Sequence, residues 1–431
     1  MSTVCVHGLG YIGLPTATML ANYDHDVFGY DTDAGVRSNL RDGNVHFEEP
    51  GLRAFVTQAL ESGQLEIADE VVPAKYHVIC VPTPFDEESK TAELEYVQSA
   101  GRAVADHLRR GDTVILESTV PPGTTDGVLG PILEESTLSA GDDFSLVHCP
   151  ETVLPGNIIT ELRENNRIIG GVNAVSAESA VRLYESFVDG EIRTTTDTTV
   201  AEFVKLIQNT FRDVNIALAN EIAMLAADYD IDARGAIDLA NSHPRVDILQ
   251  PGPGVGGHCL PIDPWFLGDG SERLDLISTA RRINDGMPGY IIELLREELG
   301  DLDGRTIAIL GVAYKGNVGD TRMSPGLALA NQLQRVDVAQ PTAADGGTGT
   351  IDGPSVRIHD PHVIDSTLNL SDLETATTGA DAVVIATDHD EFESLDPGTL
   401  SEWMAGDVVI DAKGVLSPSV WKRSGFTVRR I

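Results

Sequence analysis

Short apolar runs punctuated by glycine turns open the chain. "TVCVHG" is followed by "GLGYIG", by helical periodicity from about Leu14 to Tyr23, and by a second run, "HDVFGYD". Runs too short for a helix and bounded by turn residues read as strands. "HVICVPT", "DTVILEST" and "FSLVHCPE" repeat the pattern, with helix-like segments between them such as "LEYVQSAGRAVADHLRRG". Strands alternating with helices predict a mostly parallel sheet covered on both faces, here over residues 1–195. From Thr198 the period changes to that of a helix for about 30 residues without glycine or proline, "VAEFVKLIQNTFRDVNIALANEIAMLAADYDI". This predicts a long helix that joins domains and packs against a second subunit, within a helical segment over 196–300. At Arg305 "RTIAILGVAYKGNVGDTRMSP" begins a new strand-turn-helix, and "SVRIHD", "ADAVVIAT" and "DVVIDAKG" follow as strands. Residues 301–431 are therefore expected to form a second α/β domain. Within it, "QPTAADGGTGTIDGP" (Gln340 to Pro354) reads as a flexible insertion.

A chain of 431 residues exceeds what one core supports and implies two or three domains. Its formal net charge is -37, with the acids spread along the whole chain, and only six of its 30 basic residues are lysines. An evenly acidic, lysine-poor surface suits a protein that stays hydrated in concentrated salt. It disfavours nucleic acid, whose phosphates call for a basic surface. Neither a leader nor a membrane-length apolar run is read, so the protein is expected in the cytoplasm. Cys5, Cys80, Cys149 and Cys259 lie far apart with no CxxC pair, which argues against a disulfide framework or a zinc site.

"GLGYIG" (Gly8, Gly10, Gly13) lies between a strand and a helix, the setting in which such glycines admit a pyrophosphate at a helix N-terminus. Asp31 ends the second strand 18 residues after Gly13. An acid there bonds both ribose hydroxyls, favouring NAD over NADP. "CVPTPF", "ESTVPPGTT" and "HCPETVLPGN" follow apolar strands, where ligands bind in open α/β sheets. "PGPGVGGHCLPIDPWF" places Cys259 in a run poor in side chains, which suggests a ligand approaching closely and a nucleophilic thiol. Lys205 and Asn209 share one face of the long helix. Cys5 and Cys80 are expected in core strands and Cys149 in packing. "HDPH" (His359 to His362) is too sparse to favour a metal, and none is expected.

Taken together, "GLGYIGLP", "VPTP", "ESTVPPGTT", Pro150–Glu151, "EFVKLIQNTFRDVNIALANE", "PGPGVGGHCLPIDP" and "GVAYKGNVGDTRMSP" resemble the UDP-glucose/GDP-mannose dehydrogenase family over essentially the whole chain. The resemblance implies two Rossmann-like doubly wound α/β domains joined by a long central helix and a helical dimerisation region. It implies at least a homodimer, and oxidation of the C6 alcohol of a nucleotide sugar to a carboxylate with two NAD. Cys259 resembles the family's nucleophile. Lys205 and Asn209 would stabilise the developing oxyanion, Asp263 would assist proton transfer or orient water, and Thr119 and Glu151 would lie near the reacting carbon, Glu151 serving thioester hydrolysis. The cofactor set would be Gly8, Gly10, Tyr11, Ile12, Gly13, Asp31, Pro82, Thr83 and Thr119. Gly256 and Gly257 would leave room for the sugar, and Leu154, Arg245, Lys315 and Arg322 would contact the substrate. "HCPETVLPGN", "NNRIIGG" and "NSHPRVDILQPGPGVGGHCLPIDPWF" look closest to the UDP-N-acetyl-D-mannosamine dehydrogenase branch, which usually has arginine where this chain has Thr152. UDP-glucose or UDP-N-acetylglucosamine is the alternative substrate, and a non-catalytic nucleotide-sugar-binding protein the remote one.

Overall fold

The computed structural model describes residues 1–47, 49–154, 156–335 and 353–431. The insertion read over Gln340 to Pro354 thus lies outside the described residues, except for its last two. The chain forms two compact units, Met1–Gln208 with Trp265–Glu272 and Asn209–Pro264 with Arg273–Ile431.

In the first unit the strands are β1 (Thr3–His7), β2 (Asp26–Tyr30), β3 (Leu65–Ile67), β4 (Tyr76–Ile79), the hairpin β5 (Phe85–Asp86) and β6 (Thr91–Ala92), β7 (Thr113–Leu116), β8 (Ser145–His148), β9 (Arg167–Gly171) and β10 (Ile192–Thr195). Eight of them form one sheet in the order β10-β9-β8-β7-β4-β1-β2-β3, parallel except where β9 runs against β8. Alternate residues sort to opposite faces: Val4, Val6, Val78 and Ile115 enter one core, and Ile79, Val114, Leu116 and Leu146 the other. Burial on both faces is why these strands read as unbroken apolar runs. Since β1 lies between β2 and β4, the chain winds away from it in both directions, and ligands bind at the carboxyl end of such a switch point.

The long helix runs Thr198–Asp228. Besides its later part, the second unit has the helices Ala233–Asn241 and Asp275–Leu299 and the strands β11 (Thr306–Leu310), β12 (Ser355–His359), β13 (Ala382–Ile385), β14 (Val408–Asp411) and β15 (Thr427–Arg430). They form an all-parallel sheet, β12-β11-β13-β14-β15. This too is a doubly wound order. Ile307 and Ile309 face one core, Ala308 and Leu310 the other. Among the described residues no helix is long and apolar enough to cross a membrane.

Candidate active site

The glycine turn follows β1, and each glycine answers a different need. Gly8 has φ +86, and a Cβ there would stand 2.6 Å from the Cys80 carbonyl oxygen. A Cβ on Gly13 would fall 1.8 Å from the Gly8 oxygen, whereas one on Gly10 would meet nothing within 4 Å. The protein itself therefore requires Gly8 and Gly13, while Gly10 leaves open the space that a pyrophosphate needs. Asp31 accepts the Leu9 N–H at 2.8 Å and the Asp33 N–H at 2.9 Å, one on each oxygen. Each oxygen keeps a second lone pair for a ribose hydroxyl, so the turn fits NAD. Tyr11 donates its hydroxyl to Glu49 at 2.6 Å, and Ile12 is half-buried ahead of the helix Gly13–Asn22. Pro82 and Thr83 follow β4, and the Thr83 hydroxyl donates to the Thr119 carbonyl at 2.7 Å, stitching two of the strand-end loops together.

Beneath this turn lies a cluster of buried charge. Glu117 is wholly buried and accepts hydrogen bonds from Tyr184 (2.5 Å), the Cys80 thiol (3.1 Å) and Thr16 (3.2 Å). Burial raises its pKa. Glu151 pairs with Arg167 at 2.8 Å. Cys80 is not the core strand residue expected: it stands one residue past β4, partly buried at the edge of the core, with its backbone and Cβ against Gly8 and Gly13. Cys5 and Cys149 are fully buried, and burial pushes their thiols up to about 11 and about 12. Both pack inside the first unit, Cys149 in the main core and Cys5 beside Val71 and Ala74. Glu202, a buried acid on the long helix, accepts from the Gly123 and Thr125 N–H groups and the Thr125 hydroxyl, fixing the loop after Thr119. Its only sequence signal was an acid amid apolar helix positions.

A cavity of about 160 Å³ is lined by Pro150, Thr152, Asn165, Asn166, Lys205 and Gln208, with Ile168. Lys205 is half-buried there. Glu151 and Arg167 do not line it, although their chain neighbours do. Leu154 is exposed, and its N–H donates to Glu161 at 2.7 Å.

In the second unit, Asn209 donates its amide to the buried Asp263 carboxylate at 2.5 Å. Asp263 begins the helix Asp263–Leu267, and the carbonyl of Cys259 accepts the N–H groups of Ile262 (3.0 Å) and Asp263 (2.8 Å). The turn thus locks the cysteine backbone to the acid. Buried Arg234 holds the loop by donating to the Pro251 carbonyl at 2.6 Å. The loop's glycines have a different explanation from the one read in the sequence. A Cβ on Gly256 would stand 2.7 Å from the Met323 oxygen, and one on Gly257, at φ +87, would stand 2.9 Å from the Tyr314 ring. Protein atoms already occupy the positions that a Cβ would take at both glycines.

Arg322 is exposed and bonded to Asp320 through Nε (3.0 Å) and Nη2 (2.5 Å), and Lys315 is exposed. Arg245 is exposed in the loop after Ala233–Asn241. His359 and His362 do not converge. His359 meets the Ser371 carbonyl, whereas His362 stacks on His389 with ring centroids 4.7 Å apart. Both ring nitrogens of His389 are engaged, by Asn317 and Asp360.

The turn after β11 repeats the brace of the first. Gly311 has φ +91, Gly326 would place a Cβ 2.5 Å from the Gly311 oxygen, and Asp360 accepts the Val312 N–H at 2.7 Å, as Asp31 does for Leu9. Where Gly10 leaves an opening, however, this turn carries the buried Ala313. The brace is kept without the pyrophosphate space.

Three family models of the UDP-glucose/GDP-mannose dehydrogenase family match in chain order: the NAD binding domain over residues 2–188, the central domain over 199–286 and the UDP binding domain over 308–418. The chain belongs to this family. As a member it is an NAD-dependent nucleotide-sugar dehydrogenase, with NAD as the cofactor that its glycine turn fits. Two similar relatives are UDP-N-acetyl-D-mannosamine dehydrogenases. That of Pyrococcus horikoshii is 44% identical over 99% of this chain and 98% of its own. That of Methanococcus aeolicus is 42% identical over 100% and 95%. A solved structure of the UDP-N-acetyl-D-mannosamine dehydrogenase from Pyrococcus horikoshii superposes with a TM-score of 0.89 at 41% identity, covering 100% of this chain and 99% of that one. The family's three parts thus run from residue 2 to residue 418 and take in most strands of both doubly wound sheets.

Proposed function

We propose that the enzyme oxidises C6 of UDP-N-acetyl-D-mannosamine to the uronate in two successive two-electron steps. The observation that carries this reading is the locked arrangement of Asn209, Asp263 and the Cys259 turn, which suits a nucleophile beside a proton-handling acid. The substrate comes from the names of the similar relatives. NAD, held by Gly8, Gly10, Gly13 and Asp31, supplies the hydride acceptor. Asp263 receives the hydroxyl proton as the alcohol becomes an aldehyde, and Lys205 and Asn209 stabilise negative charge on its oxygen. The Cys259 thiolate adds to the aldehyde carbon as a thiohemiacetal, and the second oxidation leaves a thioester. Water attacks the thioester carbonyl, the C–S bond breaks, and Glu151 takes the water proton. Overall, one alcohol, two NAD⁺ and one water give one carboxylate, two NADH and three protons. Thr119 contributes near the reacting carbon, and Arg245, Lys315 and Arg322 bind the substrate's nucleotide part. In this reading residues 1–195 hold the cofactor, 196–300 carry the catalytic loop and the subunit contact, and 301–431 bind the UDP.

Thr152, in place of the branch's usual arginine, is the feature that favours a second reading, with UDP-glucose or UDP-N-acetylglucosamine as substrate. NADH formed per sugar consumed, measured in molar KCl with the three sugars separately, tests both. Two NADH with UDP-N-acetylmannosamine alone are expected. Two with another sugar would move the specificity, and one per sugar would remove Cys259 from its role.

A further inference from the structure

Glu151 is held by three hydrogen bonds. Its Oε1 accepts the N–H groups of Thr152 (2.6 Å) and Val153 (3.1 Å), and its Oε2 accepts Arg167 Nη2 at 2.8 Å. An ionised carboxylate offers about four lone-pair positions, so one remains, on Oε2. The side chain is 6% exposed, which limits that position to a single ordered water or substrate group. Arg167 is itself 4% exposed, and its guanidinium lies 5.0 Å from the Tyr184 ring centroid and 5.7 Å from that of Phe187. Its Nη1 stands 3.9 Å from Glu117, beyond hydrogen-bond distance, and among the described residues Nε and Nη1 have no hydrogen-bond partner. Among the described residues Glu151 is therefore the one acceptor to which this guanidinium hydrogen-bonds. Two carboxylates around one guanidinium would bury an excess negative charge. Burial, opposed by Arg167 and reinforced by Glu151, raises the pKa of Glu117, and the short contact of the guanidinium goes to Glu151 at 2.8 Å rather than to Glu117 at 3.9 Å.

We propose that Arg167 is a positioning residue for thioester hydrolysis, fixing the Glu151 carboxylate so that its last acceptor position receives the attacking water. The proposal rests on the hydrolytic role given above to Glu151. In the step, the water oxygen bonds to the thioester carbon, its proton passes to Glu151, and the C–S electron pair leaves with Cys259. Without the guanidinium, Oε2 is free to turn and the water loses its place. A misplacement of this kind costs about a hundredfold in rate.

The test mixes the full-length enzyme with UDP-N-acetylmannosamine and NAD in molar KCl, and follows NADH in the first turnover together with intact protein mass. Arg167→Met should release two NADH per active site rapidly and then turn over about a hundredfold more slowly. Mass spectrometry should show the acyl adduct on Cys259 accumulating, with the apparent KM for both substrates falling alongside kcat. A merely structural role would lower the initial NADH release as well and leave no adduct. Arg167→Lys keeps the charge and serves where the methionine variant does not fold; it should show a smaller adduct fraction. Normal turnover without adduct in Arg167→Lys would overturn the proposal. Glu151→Gln separates the two readings. Adduct in Glu151→Gln but in neither Arg167 variant overturns the positioning role alone, whereas no adduct in Glu151→Gln overturns the hydrolytic role and this proposal with it.

Discussion

Gly10 and Gly13 stand three residues apart in one motif and should fail in opposite ways. A methyl group at Gly13 would be driven into the Gly8 carbonyl, 1.8 Å away, with the Cys80 Cβ at 3.0 Å, neither of them the far end of a flexible side chain. Gly13→Ala should therefore destabilise the first unit by about 3 kcal/mol or more, a loss of the size that steric strain in a core produces. At Gly10 a methyl group meets no protein atom. Gly10→Ala should melt within about 0.5 kcal/mol of the parent, yet bind NAD about tenfold more weakly because the pyrophosphate approaches that carbon. Melting curves and NAD titration of the two variants decide the matter; a Gly10→Ala protein with unaltered NAD affinity would remove the pyrophosphate from this position. The fingerprint showed where the glycines were and what such glycines do. It could not show that Gly256 and Gly257, in a loop equally poor in side chains, are small because Tyr314 and Met323 press on them. That contact joins residues more than fifty positions apart, and no local pattern announces it.

Elements differ in how much of themselves they display in sequence. The helix Thr198–Asp228 was legible because thirty residues of helical period without a breaker allow little else, and β1, β4, β7 and β8 because burial on both faces makes them continuous apolar runs. By contrast, β9 opens on an arginine and ends in two glycines, β10 reads "IRTT" and β15 "TVRR"; sheet pairing, not composition, makes them strands. The charge cluster on which Glu151 depends was hidden for the same reason, since Arg167 comes from β9. Three buried histidines give the first sheet a pH dependence, and on β1 burial, with His77 beside it, holds His7 well below 6.5. Burial lowers His77 on β4 to about 4 and His148 on β8 to about 3, from 6.5. Their unfolded forms take up protons below about 6.5 while the folded forms stay neutral, so stability falls as pH drops from there toward 4. The wild type should lose about 3 kcal/mol more than His77→Gln over that window, measured by denaturant unfolding; parallel curves would mean that His77 is already protonated when folded. The long helix carries a second prediction on its solvent side, where Phe203, Ile207, Phe211, Leu218 and Leu225 are each more than 40% exposed. Spacings of four, four, seven and seven residues put them along one stripe, and we propose that a second copy covers it. Phe211→Glu with Leu218→Glu should halve the mass seen by light scattering in molar KCl; an unchanged mass would place any subunit contact elsewhere.

At the scale of the whole molecule the excess of 67 acidic over 30 basic residues must be reconciled with the folding of two units that are each compact. Many acids are committed locally. Asp33, Asp372 and Asp396 cap helices, and Asp69, Asp189 and Glu191 pair with arginines on the surface. Such exposed pairs are worth little individually, and they leave a formal charge of -37 whose self-repulsion opposes the folded state. The range of that repulsion depends on salt, since the screening length falls from about 30 Å at 0.01 M to about 3 Å at 1 M. At low salt each uncompensated carboxylate therefore acts on neighbours across the whole of its unit, and at high salt only on those it touches. We propose that the protein is adapted to concentrated salt. The melting temperature should rise by at least about 5 °C between dilute buffer and molar KCl, a shift of roughly 1 to 3 kcal/mol for domains of this size. Activity should rise in the same range, because the subunit contact proposed for the long helix would join two chains of like charge and gain from screening as well. Replacing surface acids in neither pocket nor charge cluster, such as Glu70, Glu178 and Asp230 by asparagine or glutamine, should raise the melting temperature in dilute buffer and leave it nearly unchanged in molar KCl. Equal melting temperatures for the parent chain in the two buffers would show that self-repulsion does not limit its stability, and the acidic surface would then need an explanation other than salt.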